Sequence, residues 1–397
     1  MEKITIKHIG PVKFVEIDLN KINVIMGPQS SGKSTIAKVI SYCQWVEKRF
    51  ILDGEYKDSF IKQFIGFHRI DENYFDEKSF IKYESDYIVI TYSGTNYEQS
   101  IEKKDNDINY LKSKNIYIPA ERNFVSVIPN LGKYKETNDN IMSFLYDWYS
   151  TKRQYVNGDA FPVLNLGVRY HNTKETDKDT LTIINNKKEI TLQNASSGLQ
   201  SVTPLVLLVD YLTGKFYDEV HQLSVDEFRV LRNRANQLMK NGEAGLNENE
   251  IYDRENLWNR REKYHFSKFI IEEPEQNLFP TTQRDLVYFL LEKMNDAERN
   301  HRLLLTTHSP YILYALNNCM MGFNVKDDLE TDEIKELKSA RAWINPDKVS
   351  IWEVEEGKGT LKSIKDPTTG TVNKHYFNRI MNNLLDEYYA MLNHYAV

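Results

Sequence analysis

"GPQSSGKST", Gly27 to Thr35, fits the pattern G-x-x-x-x-G-K-[S/T] at every fixed position. An apolar run, Ile22 to Met26, precedes it, and a stretch with Ile36, Val39, Ile40 and Cys43 at i, i+3, i+4 and i+7 follows. Strand, glycine-rich loop, amphipathic helix is the setting in which this pattern wraps a phosphate. The loop must approach the anion closely, so Gly27 and Gly32 bring no side chain. Across Gly27, Pro28, Gln29, Ser30, Ser31, Gly32, Lys33, Ser34 and Thr35, successive backbone N–H groups face the phosphate oxygens, and the helix N-terminus adds partial positive charge. In this arrangement Lys33 reaches the β- and γ-phosphates and the Ser34 hydroxyl ligates Mg2+. The spacing predicts ATP and Mg2+ as ligands; a glycine–serine turn without a ligand is the blander reading, and the context weighs against it.

A second stretch, "IIEEPEQNLFP" from Ile270 to Pro280, carries the complementary charge. The run Phe269-Ile270-Ile271 reads as a buried strand, yet it ends on two adjacent carboxylates. Burying an ionised carboxylate is costly unless a cation or donor meets it. Beside a magnesium-bound triphosphate both have work: Glu272 holds Mg2+, directly or through water, and Glu273 orients and deprotonates the attacking water. The first position is more often Asp, and the extra methylene of Glu272 favours a water-mediated contact with the metal. In "LLLTTHSPYIL", Leu303 to Leu313, His308 follows another apolar strand and is placed to sense the γ-phosphate; a satisfied structural histidine is the alternative. In "NASSGLQS", Asn194 to Ser201, small residues open a helix. Hydroxyls and N–H groups there suit a second anion, so Ser196, Ser197 and Gly198 suggest contact with another molecule's nucleotide.

The bulk numbers agree with an ordinary globular protein. The chain has 397 residues, 41% hydrophobic and 27% charged, with a net charge of −6. Its longest apolar runs, such as Val206 to Val209, fall far short of the roughly 20 residues that span a bilayer. The start alternates like a strand, unlike a signal peptide. Cys43 and Cys319 give neither a disulfide framework nor zinc spacing, so a cytoplasmic location is expected. The acidic balance advertises no global nucleic-acid field.

One domain is expected: 1–120 with the phosphate loop and a β-rich lobe, 121–214 a helical lobe, 215–265 an inserted helical hairpin, 266–320 the carboxylate and histidine strands, and 321–397 a closing hairpin and helix. Arg229, Arg232, Arg234, Arg260, Arg261 and Lys263 of the insert could meet DNA or an acidic partner, although Glu227, Glu243 and Glu250 make a solvated mixed-charge helix the simpler reading. The last helix, with Phe377, Met381, Leu384, Leu385 and Tyr388, reads as core or interface.

In this order the four motifs resemble the heads of ATP-binding-cassette (ABC) ATPases, above all the structural-maintenance-of-chromosomes (SMC) type and the OLD-like bacterial ATPases. The resemblance implies an α/β fold, an ABC-type P-loop head with a mixed central sheet, an antiparallel β subdomain and a helical subdomain. Ala195 to Leu199 takes the place of the signature, departing from L-S-G-G-E/Q at its leading Leu, first Gly and last position, with Gln200 one place on. Gln276 to Phe279 matches the D-loop, and "YIPAERN", Tyr117 to Asn123, resembles a stretch common in such ATPases, through which Glu121 and Arg122 could serve the site. Gln44 lies too close to the P-loop to be the Q-loop glutamine.

By the same resemblance ATP drives two heads into a head-to-tail homodimer, and hydrolysis with Glu273, His308 and Lys33 as catalytic residues releases them. OLD-like proteins often carry a Toprim nuclease, and none is legible after His308. Antiphage systems such as PARIS and Septu pair a similar ATPase with a separate effector, so a Toprim or HNH nuclease is the expected partner. A DNA-binding SMC- or OLD-like repair ATPase is the alternative. A transporter subunit or a small-molecule kinase fits the motifs less well, and no membrane partner is expected.

Overall fold

The computed structural model describes residues 2–56, 58–105, 110–128, 139–156, 158, 160–173, 175–218 and 263–395. β1 (Glu2–Ile9) and β2 (Val12–Leu19) pair as an antiparallel hairpin that sets Ile4 against Ile17 and Ile6 against Val15, all buried. β3 (Ile22–Met26) is buried throughout and leads into the P-loop. α1 (Lys33–Asp53) buries Ile36, Val39, Ile40 and Cys43, the face its periodicity predicts, and stops at Gly54, whose φ of 80° suits glycine. α2 (Phe60–His68) packs Phe60 edge-on and Phe64 tilted against Tyr42, at ring-centroid distances of 4.9 and 5.1 Å.

β4 (Phe75–Glu84), β5 (Ile88–Ser93) and β6 (Glu98–Lys103) extend the hairpin into an antiparallel sheet of order β2-β1-β4-β5-β6. β7 (Ser113–Ile118) then enters the central sheet. α3 (Phe124–Val127) and α4 (Asn140–Lys152) follow. β8 (Phe161–Pro162), β9 (Val168–Thr173), β10 (Lys178–Ile183) and β11 (Glu189–Thr191) build a small sheet, and α5 (Ser197–Thr213) closes this lobe. β10 and β11 form a hairpin around Asn185 and Asn186, and together with β8 and β9 they make the lobe less purely helical than expected.

Residues 219–262, and with them nearly all of the expected inserted hairpin and its Arg229, Arg232, Arg234, Arg260 and Arg261, lie outside the described residues. The chain re-enters with β12 (Phe266–Glu272), α6 (Pro280–Met294), β13 (Arg302–Thr307), α7 (Pro310–Val325) and α8 (Thr331–Glu336). β14 (Val349–Val354), β15 (Leu361–Ser363) and α9 (Tyr376–Leu392) complete it.

The central sheet has the order β15-β14-β3-β13-β12-β7, parallel apart from the antiparallel β14–β15 edge. Its inner strands are apolar without alternation because both faces are covered. Phe269 and Ile271 pack into the core formed with α5, α6 and α7, whereas Ile270 between them packs into the core with α1 and the antiparallel lobe. This is the mixed-sheet P-loop architecture with β and helical subdomains that the motifs imply.

At the N-terminal end of β12, Lys268 and Arg302 contact Glu2, at 2.9 and 2.6 Å. Burial works to raise the Glu2 carboxyl, but these two cations hold it down to about 2. Gln44 donates to the same carboxylate at 2.8 Å, which anchors α1 to β1. The reading of the last helix as core is overturned: α9 buries no residue, and Met381, Leu384 and Tyr388 are 58%, 59% and 53% exposed. Its periodicity is that of an amphipathic helix, and nothing in the pattern says what would cover the apolar face.

Candidate functional site

Four neighbouring strands, β3, β13, β12 and β7, run parallel, so their C-terminal ends lie along one edge of the sheet. Register sets the height of each group: Thr306 is level with Ile25 on one side and with Glu272 on the other. With strands about 4.8 Å apart, Glu272 sits roughly 10 Å across the sheet from β3, with β13 between. The P-loop leaves β3, the paired glutamates leave β12, His308 leaves β13 and Arg122 follows β7. Separate stretches of sequence thus meet because a parallel sheet aligns their ends, the usual position of ligand sites in open α/β sheets.

The loop itself is tightly enclosed. Gly32 has a φ of 101°, and a Cβ there would lie 2.9 Å from Val12 Cγ2. A Cβ on Gly27 would lie 3.0 Å from the Val354 Cβ. Lys33 is buried, and its ammonium donates to the carbonyls of Gly27 and Pro28 at 2.9 and 2.6 Å. Burial lowers its pKa, opposed by Glu273, Glu275 and Glu272. The Ser31 hydroxyl is buried with no hydrogen-bond partner among the described residues. Gln29 and Ser30 are exposed, and Ser34 is half-buried in the first turn of α1.

Glu272 is buried, and its Oε1 makes no hydrogen bond of good geometry among the described residues, although the buried Tyr117 phenol lies near it and is held well above its ordinary pKa by burial and by this carboxylate. A buried carboxylate oxygen without a well-placed donor is stabilised by a cation, so the donor set fits Mg2+. Glu273 adopts a φ of 43°, strained for a residue with a side chain, and its N–H donates to the Thr306 carbonyl at 2.9 Å. That turn leads its carboxylate to His308, with Oε1 3.5 Å from Nδ1. The contact lowers the Glu273 pKa and raises that of His308, in each case against burial. A raised His308 pKa means that the pair stabilises the fold fully below the ordinary histidine value. That contribution is lost as pH rises through the raised value. In Glu273→Gln the His308 titration midpoint, followed by NMR of the imidazole, is expected to fall; an unchanged midpoint would mean that another group sets it.

Two residues without a settled role in the sequence hold this arrangement. Glu275 is buried, and its Oε1 accepts from the Thr307 hydroxyl at 2.8 Å and the His308 N–H at 2.7 Å. It ties the turn after β12 to the turn that carries the histidine. Arg122 is fully buried and donates to the main-chain carbonyls of Glu272, Glu273 and Pro274 at 2.9, 2.8 and 3.3 Å. It also reaches Ser201 and Pro119, at 3.2 and 3.3 Å. The doubled acidic position of "EEPE" and the basic residue after the β7 proline are the only sequence signals of these roles.

Ser196 is the N-cap of α5, and Ser196 and Ser197 are exposed with no side-chain capping bond from Ser196. Gly198 lies against the D-loop of its own chain: a Cβ there would sit 2.8 Å from the Asn277 carbonyl oxygen. Asn277 has a φ of 61°, and Phe279, two residues on, is 72% exposed. The structure therefore gathers the P-loop, Glu272, Glu273 and His308 at one strand edge. It places the Ser196–Gly198 turn beside the residues that follow Pro274, open to solvent.

A family model described as "AAA domain, putative AbiEii toxin, Type IV TA system" matches residues 22–313. The chain belongs to this family, AAA_21. The AAA_21 match opens at the first residue of β3 and closes within α7, so it spans the P-loop, both glutamates and His308. The chain thus carries an AAA-type domain, consistent with ATP binding. No curated protein matches it. Among solved structures, it is similar to the SMC head domain from Thermotoga maritima at 13% identity, over 79% of this chain and 90% of that one, with a TM-score of 0.37. It is also similar to an SmcHead bound to the C-winged helix domain of ScpA, at 13% identity over 91% and 96%, TM-score 0.40. A third is the recombination mediator protein RecF, in its ATPrS-bound structure from the RecFOR pathway, at 12% over 91% and 97%, TM-score 0.32. Among the described residues no helix is long and apolar enough to cross a membrane.

Proposed function

We propose that this chain is an ATP-hydrolysing switch whose heads pair around the nucleotide and control a separate effector. The observation that carries the reading is the convergence of Lys33, Glu272, Glu273 and His308 at the ends of three adjacent parallel strands, with a buried Glu272 oxygen lacking a well-placed donor. Lys33, held by the carbonyls of Gly27 and Pro28, turns to the β- and γ-phosphates when ATP enters. Ser34 and Glu272 are the residues that would hold Mg2+, which supplies charge neutralisation on the phosphates. Glu273 has its pKa lowered, so it is ionised at neutral pH and able to orient a water and accept its proton. His308, 3.5 Å from Glu273, positions that carboxylate and reads the γ-phosphate.

The exposed Ser196 and Ser197 offer hydroxyls to the γ-phosphate of a partner head, as the signature of an ABC-type dimer does. Nucleotide binding energy is then shared between two surfaces, and ATP shifts the monomer–dimer equilibrium. The effector proposed is a nuclease of the Toprim or HNH kind, and the family description, a putative toxin of a Type IV TA system, is compatible with that role and with the DNA-binding alternative alike. Sedimentation of the wild type is expected to show association on adding ATP and Mg2+. Ser196→Arg is expected to keep ATP affinity within about twofold and to remove that association. Association that persists in the variant would take the signature out of the interface. A salt-dependent shift of duplex DNA by the isolated protein would instead favour a DNA-repair role.

A further inference from the structure

Arg122 lies on no surface a nucleotide could touch, yet it is among the largest fully buried side chains. Burying a guanidinium is expensive, and its hydrogen bonds identify what that cost secures. Three of its five carbonyl acceptors are consecutive, Glu272, Glu273 and Pro274, the residues that set the direction of the Glu273 side chain. The fourth, Ser201, belongs to α5, five residues beyond the Ser196 N-cap. The fifth, Pro119, fixes Arg122 to its own turn after β7.

The contact with α5 is built into that helix. Pro204 has no N–H for the Gln200 carbonyl, which instead accepts from the Ser126 hydroxyl at 3.0 Å. The segment 120–127 therefore grips adjacent carbonyls, Gln200 and Ser201, of the first turns of α5. From there the chain of contacts runs through one planar, rigid side chain to the strained turn at Glu273, φ 43°. Burial lowers the Arg122 pKa to about 10, opposed first by Glu275 and Glu273, so the guanidinium stays charged at neutral pH.

We infer that Arg122 is a positioning residue that transmits the placement of the signature helix α5 to the catalytic geometry of Glu273. The inference rests on the ATPase reading above. When the Ser196–Gly198 turn engages a partner's nucleotide, the position of α5 is fixed. Arg122 then fixes the carbonyls of residues 272–274, and the Glu273 carboxylate is held where it can accept the proton of the attacking water. In a head without a partner the first turn of α5, exposed at Ser196 and Ser197, is held by its own chain alone, and Glu273 is less firmly placed.

The test compares Arg122→Lys and Arg122→Ala with the wild type in ATP affinity, ATP-driven association, and turnover per head at rising protein concentration. Wild-type turnover per head is expected to rise with concentration as heads pair. Arg122→Lys keeps the charge but cannot bridge both elements. It is expected to hold ATP affinity and association within about twofold while turnover falls about tenfold or more and stops responding to concentration. Arg122→Ala is expected to fall further than Arg122→Lys. If Arg122→Ala does not fold, Arg122→Lys alone decides. Wild-type turnover in either folded variant overturns the inference, and so does a parallel loss of ATP affinity, which would place Arg122 in the cradle or in stability alone. Failure of both variants to fold likewise assigns it to stability. A wild type without turnover, indistinguishable from Glu273→Gln, removes the ATPase reading itself.

Discussion

Glu273→Gln is expected to bind ATP with wild-type affinity, to hydrolyse it at least about a hundredfold more slowly, and to accumulate as a nucleotide-bound dimer or larger assembly. The substitution keeps the shape of the side chain. The main-chain bonds from Glu273 to Thr306 and to Arg122 do not involve the carboxylate, so the strained turn at φ 43° persists. What disappears is the acceptor for the water's proton and the negative charge opposite His308. A hundredfold loss corresponds to about 2.7 kcal/mol of transition-state stabilisation, within the range of a general base. In the proposed cycle hydrolysis separates the heads, so slowing it traps the bound state. Single-turnover phosphate release and sedimentation with ATP check the two halves of the expectation. Wild-type turnover would place the base elsewhere.

Lys33→Ala is expected to abolish nucleotide binding. The ammonium is the positive centre of a pocket that faces Glu272, Glu273 and Glu275, and these carboxylates oppose the burial that lowers its pKa. Without it the protein offers a triphosphate beside these carboxylates no positively charged side chain, only loop amides and the metal that Ser34 and Glu272 would hold. Charge-assisted hydrogen bonds contribute about 1.5–3 kcal/mol each, so losing contacts to two phosphates weakens binding by about a hundredfold or more before the added repulsion. Calorimetric titration with ATP and Mg2+ is the measurement, with the thermal midpoint as a check on folding. Unchanged affinity in a folded variant would refute the assignment of Gly27–Thr35 as the cradle.

The parts of this molecule legible in its sequence are those whose chemistry is local. Gly27, Gly32 and Lys33 announce themselves because one loop must supply every contact at fixed spacing. β12 and β13 read correctly as buried strands because both faces are covered, so no alternation interrupts the apolar runs. Arg122 and Glu275 were not assignable in the same way. Their partners are main-chain groups or residues far along the chain, 150 positions away for the Glu272 carbonyl and 32 for Thr307. Only strand order makes them neighbours, and strand order is a tertiary property. α9 shows the converse limit: the spacing of Phe377, Met381, Leu384 and Tyr388 specifies an apolar face, but burial depends on what packs against it. Ser196–Gly198 departs from the usual signature at several positions, and the structure adds the close contact of Gly198 with Asn277 that the pattern alone does not reveal.

The most direct measurement is an experimental structure of Glu273→Gln with ATP and Mg2+. Lys33 should have left the Gly27 and Pro28 carbonyls for the phosphates, with the metal between Ser34 and Glu272 and the residue-273 side chain facing the γ-phosphate. A nucleotide bound elsewhere, or residues 272 and 273 directed away from it, would contradict the proposed site.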